Sequence, residues 1–114
     1  MNYMSLFVIG LNHTTAPLTL RERVAFAPSE LTAALPDLRN AVDADAQVAV
    51  LSTCNRAEIY AVLDSNDLNQ STQNALSWLA DYHHVSLSDL KAHTYILQGE
   101  AAIQHAFAVA SGMD

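Results

Sequence analysis

The single cysteine of the chain, Cys54, stands in the run Leu51-Ser52-Thr53-Cys54-Asn55-Arg56-Ala57-Glu58-Ile59-Tyr60. A thiolate is the nucleophilic form of a cysteine, and a nearby cation favours it. Arg56, two residues on, would place such a cation near Cys54. The competing reading is structural, because a lone cysteine is among the most buried residue types and packs as a small hydrophobe. The polar company of Ser52, Thr53, Asn55 and Arg56 weighs against burial. His13, in Asn12-His13-Thr14-Thr15, can orient a substrate or move a proton, or it can cap a turn. His105 lies among Ala102, Ile103, Ala106 and Phe107 and reads as a half-buried core histidine with a satisfied ring. Ser111 and Gly112 can line a cleft or serve close packing. Arg21, Arg23 and Arg56 suggest a small basic cluster for a carboxylate or phosphate, or else solvated surface arginines. The five histidines form no H-x-x-x-H pattern and there is no C-x-x-C, so no metal site is expected.

These residues need a scaffold, and the hydrophobic patterning supplies one. Residues 5–11 form a short apolar run of β-formers and read as a buried strand, followed by a loop over 12–17. Residues 18–27 read as a short helix. Leu31, Leu35 and Leu38 give helical spacing over 29–41, with Pro36 expected to kink or split that helix. Residues 47–51 and 57–63 read as strands pairing antiparallel, with Cys54 at their junction on the rim of the sheet. If the first strand lies beside residues 48–51, the His13 loop and the Cys54 turn meet at one end of the sheet. A loop over 64–69 leads to a helix over 71–83. Ser86 is an N-cap for a short helix to Ala92, 94–97 is a strand, and 99–113 is a last helix with Ala102, Ile103, Ala106, Phe107 and Ala110 facing inward. The expected fold is α+β: a four-stranded, mainly antiparallel sheet of ferredoxin-like build, with helices packed mostly on one face.

Composition narrows the function classes. The chain has 114 residues, about one domain, and 51% of them are apolar, so it can bury a core. Twelve Asp and Glu against five Lys and Arg leave a net charge of −7, which argues against a general nucleic-acid surface. One cysteine excludes an internal disulfide and suits a reducing compartment. No apolar run is long enough to span a membrane. Three glycines cannot make a G-x-G-x-x-G or a P-loop, so no cofactor-binding fingerprint is expected here. Residues 108–114 still read as helix-like and apolar, which suggests a fragment of a longer protein.

Four blocks in order resemble the N-terminal catalytic domain of the glutamyl-tRNA reductase family. They are Gly10-Leu11-Asn12-His13-Thr14-Thr15-Ala16-Pro17, Leu20-Arg21-Glu22-Arg23-Val24-Ala25-Phe26, the Cys54 block quoted above, and His105 with Ala110-Ser111-Gly112-Met113-Asp114. The resemblance implies a cytoplasmic NADPH-dependent oxidoreductase that turns glutamyl-tRNA into glutamate-1-semialdehyde, the entry to tetrapyrrole and heme synthesis. It implies that the Cys54 thiolate forms a glutamyl thioester, that His105 handles a proton or orients the substrate, and that Arg56 pairs with the substrate's side-chain carboxylate. Thr53, Asn55, Ser111 and His13 are implied as further substrate-binding residues. It also implies that residues 1–114 are the catalytic domain, while NADPH-binding and dimerisation domains lie outside them. A homodimeric full-length enzyme, with glutamate-1-semialdehyde aminomutase as a candidate partner, follows from the same resemblance. The alternative is a non-enzymatic α+β regulatory or binding module with a structural cysteine. A cysteine hydrolase of another kind is a third reading.

Overall fold

The computed structural model describes residues 4–64 and 67–112. They form, in order, β1 (Met4–Asn12), α1 (Leu18–Arg23), α2 (Pro28–Val42), β2 (Gln47–Ser52), β3 (Arg56–Asp64), α3 (Leu68–His83), α4 (Leu87–His93), β4 (Tyr95–Gln98) and α5 (Glu100–Ala110). The sheet order is β2-β3-β1-β4 and every neighbouring pair is antiparallel. This is the split-βαβ, ferredoxin-like arrangement expected from the sequence.

Strand periodicity divides the molecule into two faces. Phe7, Ile9 and Leu11 of β1 and Ala57, Ile59, Ala61 and Leu63 of β3 point to one side. There they meet Leu20 of α1, Ala34 and Leu38 of α2, Leu76 and Leu79 of α3, and Leu90 of α4 in one buried cluster. Val8 and Gly10 on the other side of β1 are also buried, which is why that strand reads as a continuous apolar run. The covering element on that second side is α5, packed on β1 and β4. Four helices thus cover one face and α5 covers part of the other. β1 neighbours β3 and β4 rather than β2, so the expected adjacency of β1 and β2 fails; β3 lies between them and leaves the His13 loop and the Cys54 turn at one end of the sheet.

Three helix expectations need correction. α1 stops at Arg23, four residues short of the expected Ala27. Ala27 precedes Pro28, whose ring disfavours helical geometry at the residue before it, and Ala27 is extended (φ −71°, ψ 142°). α2 runs unbroken through Pro36. It is anchored at its start by the Glu30 carboxylate accepting from the Ala27 N–H, and to α3 by Trp78 Nε1 donating to Asp37 and the Tyr82 hydroxyl donating to Glu30. On α5, Ala102 is buried, but Ile103 and Phe107 are 47% and 72% exposed and Ala110 is exposed as well. The helix is apolar almost all round, so its spacing alone could not show which side faces in. Met113, expected to end this helix, lies outside the described residues, as does Asp114.

Candidate active site

The sheet's second face carries a row of four residues that register places side by side: Leu51, Glu58, Gly10 and Tyr95. Glu58 is 1% exposed, yet its carboxylate is surrounded by donors. The Tyr60 hydroxyl donates to Oε1 at 2.6 Å, and the Tyr95 hydroxyl donates to Oε2. His105 Nε2 lies 2.5 Å from the same Oε2, and Arg56 Nη1 lies 3.4 Å from it. Arg56, Glu58 and Tyr60 alternate along β3 and so share one face, Tyr95 comes from β4, and His105 comes from α5.

Burial is the largest single influence on the Glu58 carboxyl and pushes its pKa up. The hydrogen bonds from Tyr60, Tyr95 and His105, with the charge of His105, outweigh burial and hold it below the usual glutamate value. The same contact works in reverse on Tyr95, whose hydroxyl is raised well above an ordinary tyrosine by burial first and then by the Glu58 carboxylate. Glu58 is therefore a buried anion satisfied from three elements.

Gly10 makes the arrangement sterically feasible. A Cβ there would sit 2.7 Å from Glu58 Cγ, 2.9 Å from the Ala57 carbonyl oxygen and 3.0 Å from Tyr95 Oη. Without a side chain at Gly10, Glu58 and Tyr95 meet across the strand between them. Gly10→Ala is expected to destabilise the fold by about 1–3 kcal/mol, the usual range for overpacking a tight site. Urea unfolding measures it, and an unchanged midpoint would mean that the row is loosely packed.

Acid should weaken the fold in two stages. His83 has its pKa lowered below the usual 6.5, chiefly by burial, and it packs against Phe26 and Tyr82. The unfolded chain then takes up a proton first, so this contribution is present above about pH 6.5 and is lost as pH falls below it. Glu58 and Glu30, both lowered from 4.5, contribute above that value and lose their contribution as pH falls through the folded values. A thermal midpoint that drops below about pH 6.5 and again below about 4.5 is expected, with His83→Phe abolishing the upper drop and Glu58→Gln reducing the lower one.

Cys54 is exposed in the turn joining β2 to β3, which is not the setting of a packed structural cysteine. Thr53 builds that turn. Its N–H donates to the Arg56 carbonyl at 2.8 Å, and its Oγ1 accepts from the N–H groups of Asn55 and Arg56, each at 3.2 Å. Asn55 is exposed. Arg56 is buried on the Glu58 side, and His105 is half-buried with it. His13 is exposed in the turn after β1. That turn lies at the same end of the sheet as Cys54, because Asn12 is paired with Arg56.

Ser111 is exposed at the end of α5, where its hydroxyl donates to the carbonyls of Phe107 and Ala108. α5 starts beside Leu6 and reaches the Glu58 row at His105, so its C-terminal end runs toward the Cys54 end of the sheet. The three arginines each have partners of their own. Arg21 donates to the carbonyls of Ala16 and Cys54, Arg23 donates to the carbonyl of His84, and Arg56 pairs with Glu58. Sequence reasoning missed Glu58, Tyr60 and Tyr95 as a group. The available signal was the alternation Arg56-x-Glu58-x-Tyr60, which puts both charges on one strand face.

Comparison with known proteins agrees with this frame. A family model described as glutamyl-tRNAGlu reductase, N-terminal domain, matches residues 9–114. The chain is 45% identical to a glutamyl-tRNA reductase of Pseudomonas fluorescens (strain Pf0-1) over 97% of its own length and 25% of that protein's. It is 47% identical to one of Aliivibrio salmonicida (strain LFI1238), again over 97% of this chain and 26% of that one. The chain thus spans about a quarter of the length of these curated relatives. A solved structure, glutamyl-tRNA reductase from Methanopyrus kandleri, superimposes with a TM-score of 0.60 at 24% identity over 95% of this chain and 22% of that one, a likeness of fold.

Proposed function

Because this chain belongs to the glutamyl-tRNA reductase N-terminal domain family, we propose that it carries the acyl-transfer step of that enzyme. Cys54 Sγ, as thiolate, attacks the carbonyl carbon of the glutamyl ester. The new S–C bond forms, the ester C–O bond breaks, and the tRNA's terminal ribose hydroxyl leaves with a proton. A glutamyl thioester remains on Cys54. The observation that carries this reading is the exposure of Cys54 in a turn at the sheet end, next in sequence to a buried cation–carboxylate group. A structural cysteine would be packed, so the non-enzymatic module is not favoured.

Arg56 is proposed to pair with the substrate's side-chain carboxylate through its planar fork. His105, held at Nε2 by Glu58, is proposed to handle the proton of the leaving hydroxyl. Thr53 and Asn55 flank the thiol, with His13 and Ser111 as outer contacts. A thioester has less resonance stabilisation than an ester, so this step prepares the acyl group for reduction.

The turn after β1, residues 13–17, contains no glycine, so β1 enters α1 without a glycine-rich phosphate turn. On this reading the NADPH site lies outside the described residues, and the thioester would hydrolyse to free glutamate when hydride is not supplied. NADPH binding by another domain, glutamyl-tRNA as substrate, a homodimeric full-length enzyme, transfer of product to the aminomutase and a cytoplasmic setting belong to the same proposal. Among the described residues, no helix is long and apolar enough to cross a membrane.

The test is intact-protein mass spectrometry after adding a small activated α-ester of glutamate. A glutamyl adduct is expected on the parent chain and none on Cys54→Ser, with the matching glutamine ester reacting far more slowly. Equal labelling of parent and Cys54→Ser would remove Cys54 from the nucleophile's role.

A further inference from the structure

We propose that Arg21 is the positioning residue for Cys54, holding the nucleophile's turn against the turn that follows β1; this rests on the reading of Cys54 as nucleophile. The ladder between β2 and β3 ends at Ser52 and Ala57, and the one between β1 and β3 ends at Asn12 and Arg56. Cys54 lies past both. The bonds that close its turn, from Thr53 to Asn55 and Arg56, are all local. They shape the turn but do not aim it relative to the rest of the molecule.

The Phe26 N–H donates to Ser52 Oγ at 3.0 Å and ties down the end of β2, and Arg21 supplies the long-range tie to Cys54 itself. Its Nη1 donates to the Cys54 carbonyl oxygen at 2.7 Å, and its Nε donates to the Ala16 carbonyl oxygen at 3.3 Å. The Ala16 side is itself well anchored. Ala16 is buried, and its N–H donates to the Asn12 carbonyl. The Asn12 side chain accepts from the N–H groups of Thr14 and Thr15 and from the Thr14 hydroxyl, while Thr15 Oγ1 accepts from the Asn12 N–H. Arg21 follows buried Leu20 on α1, and its own N–H donates to the Pro17 carbonyl.

A rigid guanidinium thus joins a fixed turn to the exposed one that carries the thiol. Its donors are set at fixed angles and the bonds are charge-assisted. A lysine offers a single flexible ammonium and would hold the pair less firmly. Attack by a thiolate needs its sulfur aligned on the ester carbon, and small displacements are expensive in rate.

The test compares the parent chain with Arg21→Ala and Arg21→Lys in single-turnover acylation by the activated glutamate ester, followed against ester concentration. Arg21→Ala is expected to lower the maximal rate on the order of ten- to a hundredfold while half-saturation moves by less than about threefold. Arg21→Lys should recover part of the rate. In parallel, Cys54 is alkylated with a trifluoromethyl probe and its fluorine spectrum recorded. One narrow line is expected for the parent, and a broadened or split line for Arg21→Ala.

A maximal rate within about twofold of the parent overturns the proposal, as does an unchanged rate with raised half-saturation, which would make Arg21 a substrate contact. If the parent forms no adduct, the nucleophile reading fails and the fluorine comparison decides alone. An unchanged line in Arg21→Ala then overturns the positioning role, and a split line sustains it. Should Arg21→Ala fail to fold, Arg21→Lys is judged by the same two readings.

Discussion

Glu58→Leu is expected to lower the free energy of unfolding by about 3–5 kcal/mol, the range for removing one partner of a buried ion pair. The leucine removes the acceptor of four donors at once: the Tyr60 and Tyr95 hydroxyls, His105 Nε2 and Arg56 Nη1. Arg56 is only 8% exposed, so water is poorly placed to take over. A leucine of similar bulk would add apolar burial, but about 1–3 kcal/mol for each stranded buried polar group exceeds that gain. Glu58→Gln isolates the charge. It keeps a carbonyl oxygen for one or two donors and turns an amide N–H₂ toward the others, so a smaller loss than for leucine is expected. Urea unfolding at neutral pH measures both variants. A loss under about 1 kcal/mol for Glu58→Leu would mean that this face opens enough to hydrate the abandoned donors.

The same cluster shows what a single sequence can and cannot disclose. All four strands were readable, because β1 and β3 are runs of β-formers and β2 and β4 are short β-branched or aromatic stretches closed by polar turns. The hairpin around Cys54 was readable for the same reason. Ser86 marked α4, and its hydroxyl does accept from the Asp89 N–H. Glu58 was not readable as a hub. Its partners lie 2, 37 and 47 residues away, and they converge only once register sets Gly10 between Glu58 and Tyr95.

The orientation of α5 was lost for a related reason. A helix with apolar residues on every side has no polar face to turn outward. The group drawn inward is the polar one, His105, because a carboxylate from another strand is waiting for it. Arg21 looked like a surface arginine since its two carbonyl partners belong to turns whose approach depends on the β1–β3 pairing.

Arg56→Leu is expected to abolish the preference for the glutamate ester over the glutamine ester. It should also slow acylation by the glutamate ester by the equivalent of about 2–5 kcal/mol, the usual loss when one partner of a desolvated charge pair is truncated. A guanidinium distinguishes a carboxylate from an amide because only the carboxylate accepts a parallel pair of charge-assisted bonds. Arg56 already pairs with the Glu58 carboxylate. The 3.4 Å separation from Glu58 Oε2 is long for an ion-paired hydrogen bond, whereas Tyr60 and His105 approach that carboxylate at 2.6 and 2.5 Å. Glu58 is therefore satisfied chiefly by its tyrosines and histidine, and the Arg56 pairing is the longest of its four contacts. In Arg56→Leu those three donors remain on Glu58, so the fold should survive and the loss should appear in the rate. Arg56→Lys keeps the charge without the fork and should retain only part of the preference. The measurement is the ratio of single-turnover rates for the two esters in parent and variants. An unchanged ratio in Arg56→Leu, with slower reaction of both esters, would assign Arg56 to supporting Glu58 alone and leave the substrate carboxylate to another residue.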